Sequence, residues 1–147
     1  MAKTKYTVRF NGTVVDTRKS DRVYTHAVVA FNSLKTAERW AVKNWMSVDR
    51  DNYDYFVGII NGTGKSYGTT AEEAVEKLQG AVSFEAYRAI MVTERQAEVE
   101  KRKAEGYYTK PIVMGYCGRL DLAQKLLSTT SNNDHVEDAV IVPVEAP

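Results

Sequence analysis

The sequence predicts an α+β fold in which an N-terminal antiparallel β-meander packs against helices, with mixed strands and helices following. Two patterns carry this prediction: alternation before Asn11-Gly12 with extended-favouring residues after it, and apolar residues at three- and four-residue steps from Leu34 onward. A chain of 147 residues with 44% hydrophobic and 27% charged side chains fits one globular domain, residues 1–147.

Tyr6, Val8 and Phe10 alternate with Lys5, Thr7 and Arg9, and extended-favouring residues resume from Thr13 to Arg18. Asn11-Gly12 between them is the two-residue hairpin loop, because both residues accept the positive φ that such a turn demands. The turn sets a register with Val8 facing Val15, Arg9 facing Val14 and Lys5 facing Arg18. A turn at Lys19-Ser20-Asp21 leads to a third strand, Arg22–Ala30, continuing the meander. Ser33 caps a helix to about Met46, with Leu34, Ala37, Trp40, Ala41 and Trp45 on one stripe, and the two tryptophans anchor it as core.

Tyr53–Ile60 reads as a strand, and Asn61-Gly62 as a second hairpin turn with a short return to Gly68. Thr70-Ala-Glu-Glu73 opens a helix to Gln79 with Ala71, Ala74, Val75 and Leu78 inward, and Gly80 stops it. Ser83 caps a longer helix that presents Phe84, Tyr87, Ile90 and Met91, then turns almost wholly charged from Glu94 to Glu105 before Gly106. Pro111–Tyr116 reads as a strand, Leu120–Leu127 as a helix, and Asp138–Val144 as a last strand that Pro143 assigns to an edge or terminus. Residues 128–147 read as a loosely attached acidic segment.

Twenty Lys and Arg side chains stand against nineteen Asp and Glu, a balance unlike that of a general nucleic-acid binder. The halves differ: residues 1–50 hold ten basic and four acidic side chains, the remainder ten basic and fifteen acidic. Such a layout fits an anion-binding face at one end, or two ends that neutralise each other on folding. No apolar run approaches the ~20 residues that cross a bilayer, so no membrane association is expected. One cysteine, Cys117, has no intrachain partner, and with no secretory pattern at the start a cytoplasmic location is expected.

Catalytic patterns fail on spacing. Gly62-Thr-Gly-Lys-Ser66 has the ending of a phosphate-binding loop, but the glycine required at position 59 is Ile. Cys117 has only His26 and His135 as candidate bases, neither in a local signature, and no paired metal-ligand spacing exists. Glu72-Glu73 and Asp49 with Asp51 are accounted for by capping and turns. A protein without catalysis, cofactor or metal is expected.

Tyr55-Phe-Val-Gly-Ile-Ile60, a turn, and Gly68-Thr-Thr-Ala-Glu-Glu-Ala-Val-Glu-Lys-Leu78 resemble the strand, turn and helix opening of HicB-type antitoxins. Arg18-Lys-Ser-Asp-Arg-Val-Tyr-Thr-His-Ala-Val-Val29 is similar in style to small uncharacterised phage-encoded proteins, a resemblance that implies no activity.

Two surfaces are candidates for binding. If the third strand continues the meander, Lys5, Arg9, Arg18, Arg22, Tyr24 and His26 share one face, where cations meet phosphates and Tyr24 stacks on a base. That face is otherwise the solvated side of a sheet, or is covered by the charged helix from Glu94. The rival is a protein-binding inhibitor or adaptor using Arg95, Arg102, Tyr107, Tyr108 and Tyr116, since tyrosine gives large contact area at low entropic cost.

Overall fold

The computed structural model of the chain describes residues 2–147. The fold is α+β, with five strands and five helices among the described residues, and it forms two compact units. One unit comprises the chain up to Thr36 together with Arg102–Pro147; the other is Ala37–Lys101.

The first unit is a curled antiparallel sheet of β1 (Thr4–Phe10), β2 (Thr13–Ser20), β3 (His26–Asn32), β4 (Pro111–Cys117) and β5 (Val136–Glu145), in the order β2-β1-β5-β3-β4. Asn11 and Gly12 take φ of 50° and 80°, the left-handed pair that the hairpin needs. Beyond the turn, Phe10↔Thr13 and Arg9↔Val14 pair as expected, and then the register slips by one, so that Val8 faces Asp16 and Lys5 faces Lys19. Val15 is the extra residue of this bulge, and it packs against the core of Val8, Ala27 and Val29. The bulge overturns the expected Val8–Val15 and Lys5–Arg18 pairs.

The meander also fails to continue. Tyr6 donates from its hydroxyl to the carbonyl of Arg22 at 2.8 Å, pinning the connection, and β3 pairs with β4 and β5 rather than with β2. Four successive residues of β3, Ala27 to Ala30, are fully buried, as befits a central strand covered on both faces. β5 likewise lies between β1 and β3, so Val136–Glu145 is an interior strand of the sheet, and Pro143 stands near the end of that strand and not at a sheet edge. The β1–β5 ladder covers only Thr7↔Glu145 and Val8↔Val144, and Pro143, having no N–H, supplies no next rung. The sheet nearly closes on itself where Tyr116 of β4 donates to Asp16 of β2 at 2.7 Å. On its other face β3, β4 and β5 carry α5 (Leu120–Ser131), with Ala123 fully buried. Gly115 makes room for α5, because a Cβ there would come within 2.7 Å of Leu126 Cδ2 and the leucine side chain would have to shift.

The second unit is helical. Ser33 caps α1 (Leu34–Lys43) through the N–H of Thr36, as expected, yet α1 ends before Met46 and α2 (Met46–Asn61) begins there. Tyr53–Ile60 is therefore helix, not strand, and the strand implied by the HicB resemblance is absent from these residues. The β-favouring composition obscured a helical stripe: Tyr53, Phe56, Val57 and Ile60 recur at helical spacing. Gly62, at φ 70°, ends this helix instead of turning a hairpin, and the N–H groups of Gly62, Thr63 and Gly64 converge on the carbonyl of Gly58. Donors that a phosphate loop would offer are thus consumed by the helix end. Thr70 caps α3 (Ala71–Leu78), accepting from Glu73 N–H, with Ala74 and Leu78 buried but Val75 exposed. Ser83 caps α4 (Phe84–Ala104) through Ala86 N–H.

A buried carboxylate organises this unit. Asp49, on the first turn of α2, has a side chain 3% exposed and accepts from Arg88 and, with both oxygens, from Arg95 at 3.0 and 2.8 Å. The same arginines of α4 donate to the carbonyls of Val42 and Ala41, at the end of α1. In a helix continuing to Met46 those carbonyls would accept from Met46 and Trp45 N–H, so the arginine contacts replace the bonds of the missing turn. Trp45, expected in the core, is 38% exposed and lies under the Arg95 guanidinium.

Candidate functional site

The bulge decides which cations share a face. Directly opposed residues of a strand pair stand on the same side of a sheet, and successive residues alternate. Lys5, Thr7 and Arg9 of β1 therefore share the outer face with Val14, Thr17 and Lys19 of β2, while Tyr6 and Val8 share the inner face with Arg18 and Asp16. Arg18 thus stands on the opposite side from Lys5 and Arg9, and the single face expected for the six residues does not form. Lys19, absent from that set, takes the place opposite Lys5. A bulge-free register turns Lys19 inward, and no signal local to the hairpin marks the extra residue.

On the outer face, Lys5 and Lys19 are exposed, directly opposed, and joined to no acidic side chain among the described residues. Like charges so placed repel by a few tenths of a kcal/mol, about 0.2–1 at most, which a bound anion would relieve. Arg9 is held by Glu145, Nε to Oε2 at 2.9 Å, with both side chains about half exposed. Thr7 and Thr17, opposite one another, contribute hydroxyl donors between the cations.

The inner side gathers the aromatic members. Arg18 lies 5.3 Å from the Tyr24 ring centroid and 5.4 Å from that of Tyr116, and Tyr6 meets Tyr24 edge-on at 5.3 Å. Arg18 remains exposed and Tyr24 is half-buried, so the expected cation and aromatic are adjacent, but they are occupied with each other. Burial, reinforced by the hydrogen bond to Asp16 and its charge, pushes the Tyr116 phenol well above its ordinary pKa. Arg22 is exposed in the bend before β3, and its carbonyl is taken by Tyr6. His26 stands on the other face of β3 from Ala27, its Nδ1 2.8 Å from Thr25 Oγ1.

The rival set is also divided. Arg95 is committed to Asp49 and Ala41, Tyr108 is buried, and the Tyr116 hydroxyl is bound to Asp16. Arg102 stacks on Tyr107 at 5.1 Å, and Tyr107, 41% exposed, meets Tyr108 edge-on. Arg95 and Tyr108 are therefore closed to a partner. Fold position explains Arg95, which is two turns from Arg88 on α4 and shares its inward side, although the surrounding sequence is charged.

Cys117 is directly across from His26 in the β3–β4 register, but no hydrogen bond joins Sγ to the imidazole among the described residues. The thiol is buried, and burial raises its pKa. Among the described residues no His, Cys, Asp and Glu side chains cluster in a way that would hold a metal ion, and no helix is long and apolar enough to cross a membrane. The arrangement offers exposed cations and hydroxyl donors on one face of a strand pair. Searched against family models, curated proteins and solved structures, the chain matches none of them.

Proposed function

We propose that the chain is a non-catalytic accessory binding protein that holds a phosphodiester backbone on the outer face of β1 and β2. The observation that carries this reading is the unpaired Lys5–Lys19 opposition, flanked by Thr7, Thr17 and Arg9. Cations at fixed spacing with hydroxyls between them suit phosphate oxygens, and phosphate contacts fix position without reading sequence. The aromatic part of the original expectation drops out, since Tyr24 is on the other side with Arg18. Binding is accordingly indifferent to base identity and alike for duplex and single strand. The buried Cys117 thiol, its pKa raised by burial, is a poor nucleophile.

The test is fluorescence anisotropy with a fluorescein-labelled 20-base-pair duplex. Three phosphate contacts give a salt slope of about −2.7, or roughly a fortyfold loss between 50 and 200 mM salt. Lys5→Glu with Lys19→Glu should abolish binding, and Tyr24→Ala should leave it unchanged. A lysine on an edge strand, as Lys19 is on β2, also deters pairing with a second chain; binding that is absent, or that survives the double reversal, would overturn the reading and leave Lys19 that role alone.

A further inference from the structure

We propose that the helical unit carries a separate docking groove, at the corner between α1 and α2, for an acidic protein segment bearing apolar side chains. The groove measures about 510 Å³ and is lined by Lys43, Asn44, Met46, Ser47, Arg50 and Phe84. Such a volume falls within the ~300–1,000 Å³ typical of ligand sites. Its lining charges are all positive. Arg50 Cζ lies 4.0 Å from the Phe84 ring centroid, a close cation–π contact at the groove. Neither Arg50 nor Lys43 is joined to a carboxylate among the described residues, whereas the neighbouring Asp49 is buried and fully engaged by Arg88 and Arg95. The groove therefore presents two uncompensated cations over an apolar floor of Met46 and Phe84.

The occupant follows from what surrounds the groove. Met46, which lines it beside Phe84, is 53% exposed. Methionine and arginine are among the types enriched where proteins meet. A small anion would use the cations and leave this apolar surface wet. An acidic segment with aliphatic or aromatic side chains satisfies both, its carboxylates on Lys43 and Arg50 and its apolar groups against Met46 and Phe84. The site is independent of the β1–β2 face, and the two proposals stand or fall separately.

Panning a random dodecapeptide display library on the whole chain tests it. Enriched peptides should be net negative and carry Leu, Ile, Met or Phe. A fluorescein-labelled copy of an enriched peptide should bind at least about tenfold more weakly to the Lys43→Glu, Arg50→Glu double variant, and similarly to Met46→Asp. It should bind unchanged to the Lys5→Glu, Lys19→Glu variant. Tryptophan emission during denaturation checks that each variant is folded; should the double reversal unfold, Lys43→Gln with Arg50→Gln takes its place, with a loss of about threefold expected. No enrichment, enrichment of neutral or basic peptides, or peptide binding indifferent to these substitutions would overturn the proposal. So would loss of duplex binding, rather than peptide binding, on reversing Lys43 and Arg50.

Discussion

Replacing Asp49 with Asn should destabilise the helical unit by about 3 kcal/mol, near the lower end of the cost of breaking a buried ion pair. The carboxylate has a side chain 3% exposed and faces two guanidinium groups whose side chains are 13% and 21% exposed. Removing its charge leaves both cations without a counter-ion. Their bonds to the Ala41 and Val42 carbonyls persist, which keeps the cost from the upper end of the range. For a chain of this size the loss corresponds to a drop of about 10 °C in melting temperature. Both tryptophans, Trp40 and Trp45, lie in the helical unit, so tryptophan emission in urea reports on that unit. Acid provides the diagnostic. Burial acts to raise the Asp49 pKa, but hydrogen bonds and charge from Arg95 and Arg88 outweigh it and hold the group below its ordinary value. A depressed folded pKa contributes stability that is fully present above the unfolded pKa, about 3.9, and is lost as pH falls through the folded value. The gap between wild type and Asp49→Asn should be constant from pH 7 to 5 and narrow below about pH 4. An unchanged urea midpoint at pH 7, or a gap that widens in acid, would refute the reasoning.

Gly115→Val should destabilise the sheet unit by about 1–3 kcal/mol through collision with Leu126, and Leu126→Ala in the same chain should recover part of the loss in thermal melts monitored by circular dichroism. Asp16→Asn should bring the Tyr116 phenol pKa down toward the ordinary value, since one of its causes is removed while burial stays; absorbance at alkaline pH reads the shift. Thr70→Ala should cost about 1 kcal/mol by freeing the Glu73 N–H at the start of α3, and Thr70→Asp should restore most of it in the same denaturation assay.

Part of the site was legible in the hairpin itself. Lys5 and Arg9 follow from alternation on β1, and their common face holds. Lys19 did not follow, because its side depends on whether Val15 is paired or extra, and Val15 is drawn to a core to which the distant strands β3, β4 and β5 contribute. Tyr116 and Asp16 are 100 positions apart, and nothing in either segment announces the other. The helix α2 was missed for a related reason: β-branched and aromatic residues favour strands only as a weak preference that packing overrides. Arg95 read as surface because its neighbours are charged, although its own partner is a buried acid 46 positions earlier.

By itself the sequence determined the α+β class, the Asn11-Gly12 hairpin, and the helix starts at Ser33, Thr70 and Ser83. These are written in bonds that close within three or four residues and in dihedral preferences of single residues. Tertiary structure alone decided the strand order, the bulge that separates Arg18 from Lys5, and the break between α1 and α2 that exposes the cationic corner. Each of those results from groups distant in the chain competing for the same buried space or the same carbonyl, so its outcome depends on the partner and not on the segment.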